Sequence, residues 1–108
     1  MTRYGAPMGT PGPSANAVRR YLREQFRGHP IVDFEDHGSR VRIFRVDDPR
    51  GTPIALATVS IEFLEHLTPD EMLEHLFRYD LAAQMRVTGP GFYVIVATNG
   101  LRTEPVSQ

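Results

Sequence analysis

The sequence predicts an α+β fold in two layers, an antiparallel sheet of about four strands with helices on one face, in the order α-β-β-β-α-β. Three observations predict it. An apolar stripe at helical spacing follows a stretch rich in proline and glycine. Two alternating runs then flank a turn at His37-Gly38. Finally, Thr68-Pro69-Asp70-Glu71 signals a helix start ahead of a last apolar run, Phe92–Ala97.

Residues 1–13 hold three glycines and three prolines without periodicity, and are expected to form a disordered tail. Ser14 is the expected cap of a first helix running to about Arg27, with Gly28 beyond its end. Val18, Tyr21, Leu22 and Phe26 form its apolar stripe, and Arg19, Arg23 and Arg27 line another face beside Arg20 and Glu24.

Ile31–Asp36 and Ser39–Val46 read as a hairpin, since glycine and histidine both tolerate the positive φ of a two-residue loop. Counting outward pairs Glu35 with Arg40 and Asp33 with Arg42 on one side of the sheet. Phe34 then faces Val41 and Val32 faces Ile43 on the other. The charged side is expected to be the exposed one. A third strand runs from about Ile54 to Ile61, and Glu62–Leu67 is left open between strand and a short helix capped by Ser60.

The helix from Thr68 is expected to run to about Arg86, with Leu73, Phe77, Leu81 and Met85 as its stripe and Met72 and Leu76 widening it. Asp80 lies near that stripe, as a partly buried group or a kink. Gly89-Pro90-Gly91 ends the helix, and the last strand, apolar on both faces, is expected at the centre of its sheet. The organisation is thus a single globular domain over 14–100, with 101–108 a tail or a short edge strand.

Composition narrows the chemistry. In 108 residues there is no cysteine, which excludes a disulfide framework and every thiolate metal site. No apolar run approaches membrane-spanning length and no secretory leader is evident, so a cytoplasmic location is expected and no membrane partner. All twelve basic residues are arginine. Residues 1–50 hold nine arginines against six acids, and residues 51–108 hold three against seven, so a chain of net charge −1 is polarised along its length.

No catalytic or metal motif emerges. Glu71 and His75 are four apart, but HExxH is absent and His66 falls on another face, so solvated helix-surface residues account for them. No serine lies in a nucleophile elbow. Gly89-Pro90-Gly91 precedes a strand rather than a helix, which argues against a phosphate loop. The candidate binding residues are therefore Arg19, Arg20, Arg23 and Arg27, a surface for an acidic partner if they are more than a solvated face.

The α-β-β-β-α run over residues 14–87 resembles a double-stranded-RNA-binding domain in topology. That family has a lysine-rich cluster where this sequence has Thr68-Pro69-Asp70-Glu71-Met72-Leu73-Glu74, so nucleic acid is not the expected partner. The element order also resembles, in architecture alone, type III secretion chaperones, which bind protein segments. The expected function is a non-catalytic protein-interaction module, possible partners including a second copy of itself, with no cofactor and no metal. The alternatives are a nucleic-acid-associated protein using the first helix, or a small enzyme with an unrecognised site.

Overall fold

A computed structural model describes residues 12–106, so the expected tail at 1–11 lies outside the described residues. Among them the order is α1 (Pro13–Gln25), β1 (Ile31–Asp36), β2 (Val41–Asp47), β3 (Pro53–Ser60), α2 (Ile61–His66), α3 (Pro69–Tyr79), α4 (Leu81–Thr88), β4 (Phe92–Ala97) and β5 (Gly100–Pro105). The α+β class holds. The sheet differs from expectation, having five strands in the spatial order β1-β2-β3-β4-β5, with β3 and β4 parallel. The cause is the long crossover through three helices, which returns the chain to the starting end of β3; a tight hairpin could not do so. A tight turn at Thr98-Asn99 then adds β5 as an antiparallel edge strand, so β4 sits next to the edge rather than at the centre.

Helix α1 begins two residues earlier than expected, with Gly12 as cap and Pro13 in the first turn. Ser14 is not the cap. It is buried, and its hydroxyl donates to the Leu67 carbonyl, tying α1 to the α2–α3 junction. Val18, Tyr21, Leu22 and Phe26 are buried as the stripe requires. Ser60 accepts from the Phe63 N–H and caps α2, so the open stretch is helical over Ile61–His66.

The second long helix is two helices. Thr68 and Glu71 form a capping box at the start of α3, as the sequence requires. Asp80 then takes a left-handed conformation, φ 52°, ending α3, and its side chain accepts from the Ala83 N–H to start α4. The break also turns the stripe. Met72 and Leu76 are fully buried, whereas Phe77 is 57% exposed.

The hairpin register differs by two residues. Its loop is four residues, 37–40, with Arg40 at φ 55°, and Asp36 accepts from the Gly38 N–H and the Ser39 hydroxyl. Glu35 therefore faces Arg42 rather than Arg40, and Phe34 faces Ile43 rather than Val41. A shift of two keeps every side chain on its own face, which is why the sequence pattern alone did not distinguish the registers. The Asx turn at Asp36 outweighs the two-residue loop.

All four helices cover one face of the sheet. There Phe44, Val46, Ala57, Val59, Val94 and Val96 pack against Val18, Leu22, Met72, Leu76, Leu81 and Met85. Tyr21 spans this core, its hydroxyl accepting from the Ala82 N–H at the start of α4. Burial pushes the Tyr21 pKa up, against the opposing pull of that hydrogen bond.

Candidate functional site

The four arginines singled out from the sequence separate into two groups. Arg19 turns onto β1. Its Nε and Nη2 donate to the two carboxylate oxygens of Asp33, each at 2.8 Å, and its Nη1 donates to Asn16 at 2.7 Å. Arg42 on β2 donates to the same carboxylate from Nε at 2.7 Å and lies 3.4 Å from Glu35. Arg42 and Asp33 side chains are each only 6% exposed. Burial pushes the Asp33 pKa up, but hydrogen bonds from Arg19 and Arg42, then their charges, outweigh it and hold the carboxyl below its ordinary value.

Arg20, Arg23 and Arg27 point to solvent at positions i, i+3 and i+7 of the first helix and its C-terminal turn. Among the described residues none of the three forms an ion pair. Arg86 joins their end of α1, its guanidinium 4.6 Å from the Phe26 ring centre and donating to the Gln25 carbonyl. That places a cation at the negative end of the helix dipole.

A cavity of about 570 Å³ opens between the start of α1, the end of the β1–β2 hairpin and the α2–α3 junction. Ala15, Ile61, Leu64 and Leu67 give it apolar walls, and Arg42, Glu35 and Glu65 give it charge. Arg42 is already committed to Asp33 and Glu35, so its charge is met from within the protein. His75 is not a solvated surface residue as expected. Its Nε2 lies 2.7 Å from the Ala97 carbonyl and its ring meets Phe63 and Tyr79 edge-on. Among the described residues no three His, Asp or Glu side chains come together as a metal site, and no helix is long and apolar enough to cross a membrane.

The sheet's outer face is the feature missed as a site. The strand pairing sets Phe34, Ile43, Thr58, Ile95 and Arg102 in one row across all five strands. Val32, Arg45, Leu56, Tyr93 and Glu104 form the next row. Ile43 and Leu56 are each 8% exposed but belong to no part of the helix-side core, while Phe34 is 43% exposed. A shallow depression of about 280 Å³ lies between Asp36, Ile43, Tyr93 and Arg102. The hairpin is thus inverted relative to expectation: Asp33 and Arg42 lie under α1 on the face that also carries Phe44 and Val46, and Val32, Phe34 and Ile43 face outward beside Arg45. The period-2 alternation showed which residues share a face; only the assignment to solvent or helices was open.

Comparison with protein families, curated proteins and solved structures gave no match to this chain. Neither resemblance of element order therefore gains support, and function rests on the surfaces themselves.

Proposed function

We propose that this chain is a small non-catalytic protein-interaction module. The observation that carries the proposal is the inverted hairpin. Burying Asp33 and Arg42 beneath α1 while turning Val32 and Phe34 outward is unfavourable for an isolated domain, because charge desolvates and apolar surface stays wet. The arrangement becomes favourable once another surface covers the outer face. Local breaches of patterning of this kind concentrate where a protein functions. Testing it requires two surface variants and capture from native lysate after cross-linking. Phe34→Glu on the outer face should lose a protein that the parent retains, and a combined Arg20→Glu, Arg23→Glu, Arg27→Glu variant should keep it. If neither variant changes the captured set, the proposal fails.

A second reading, association with nucleic acid through α1, is favoured by the stripe of three exposed arginines without ion-pair partners among the described residues. It expects salt-dependent retention on immobilised nucleic acid that the triple arginine variant abolishes.

A further inference from the structure

We infer that the outer face of the sheet is covered by a second copy of this chain, sheet against sheet, about a two-fold axis parallel to the strands. The inference rests on the interaction reading above and names its partner. The charges on the face select this occupant. Asp36 ends β1 at one edge of the sheet, Arg102 and Glu104 stand on β5 at the other, and Ile43, Thr58, Ile95, Leu56, Tyr93 and Arg45 lie between them. A two-fold along the strands lays β1 of each copy over β5 of the other. The acidic corner then meets Arg102, and Phe34 lies under that guanidinium, an arrangement favourable for an aromatic ring. Arg45, bonded to Asp47 at 2.8 and 3.0 Å, stands one strand from where Glu104 of the second copy falls, so that carboxylate also meets an opposite charge. The exposed arginine stripe of α1 has the opposite property: two copies meeting there would set like charges together.

Size sets the strength. Five strands about 4.8 Å apart and six residues long present roughly 20 by 20 Å, so two copies bury of the order of 1,000 Å² in total. That lies at the low end of specific interfaces. The dimer is therefore one that dissociates on dilution, and most of the newly covered surface comes from Phe34 and its half-buried neighbours, since Ile43 and Leu56 are largely covered already.

Sedimentation equilibrium on the full chain, from low to high micromolar concentration, tests this. The parent should pass from monomer to dimer and keep doing so at high salt. Phe34→Arg, which sets a like charge beneath Arg102 of the second copy, should raise the dissociation constant about tenfold or more with an unchanged circular dichroism spectrum. Val87→Glu, at a site 80% exposed on α4, should leave it unchanged. Should Phe34→Arg fail to fold, Val32→Glu takes its place with the same expectation. A parent that stays monomeric throughout, or a Val87→Glu chain weakened as much as Phe34→Arg, overturns the inference. If the parent is monomeric yet Phe34→Glu still loses a protein from lysate, the second copy is wrong and the interaction reading stands. If it is monomeric and no captured protein changes, both fall.

Discussion

Asp33 holds two arginines from different elements at once, Arg19 from α1 and Arg42 from β2, and so pins the helix to the edge of the sheet. Removing Arg42 leaves Asp33 with Arg19 alone and takes away a charged hydrogen bond in a mostly buried site. Arg42→Ala should therefore cost about 1–3 kcal/mol, and Arg23→Ala, on the exposed stripe, less than about 0.5 kcal/mol. Urea unfolding of the two variants checks the contrast. The pH dependence follows from the same carboxylate. Its pKa is lower folded than unfolded, so its stabilisation is complete above the ordinary value of 3.8 and is lost as pH falls through the folded value below that. Asp33→Asn should remove that part of the acid dependence, read from melting temperature against pH. The partnership of Asp33 with Arg42 was legible in the sequence from opposite charges at matching parity. The contact proves diagonal rather than directly opposite, because Asp33 pairs with Phe44 along the ladder. That Arg19 would leave the arginine face to join them was not legible, since helical spacing alone cannot say which arginine an adjacent strand will claim.

Two elements owe their shape to single non-glycine residues at positive φ. Asp80 separates α3 from α4, combining a left-handed backbone with a cap on Ala83. Asp80→Ala loses both properties and should cost about 1–2 kcal/mol, whereas Asp80→Gly keeps the backbone freedom and should cost less. Calorimetry of the pair distinguishes a true break from a helix that would rather continue. In the hairpin, Arg40→Gly should stabilise the chain by about 0.5–1 kcal/mol, because the left-handed site penalises any side chain with a Cβ. Thermal unfolding against the parent reads it directly. Helix α1 and the start of α3 were visible in the sequence because caps, proline and apolar spacing agree there. The loop length was not, because registers differing by two residues satisfy the same alternation, and Asx-turn bonding by Asp36 decided between them.

At the scale of the molecule, the two-layer arrangement leaves one sheet face without helices, and sequence determined which residues share that face without determining which way it looks. Patterning favours turning charge outward. The structure instead puts the Asp33 network under α1, where it links helix to sheet, and leaves Phe34, Val32, Ile95 and Tyr93 to meet whatever covers them. The parallel placement of β4 was likewise hidden, because it depends on the path of the whole crossover rather than on any local pattern. The central claim, that the outer face is an interface, is tested most directly by methyl relaxation from a dissolved paramagnetic probe, followed at Val32 and Ile95 over a dilution series. The account predicts that these methyls are shielded in concentrated solution and become accessible on dilution, while Val87 stays accessible throughout. Equal accessibility of the outer-face methyls at every concentration, unchanged by added native lysate, would contradict it.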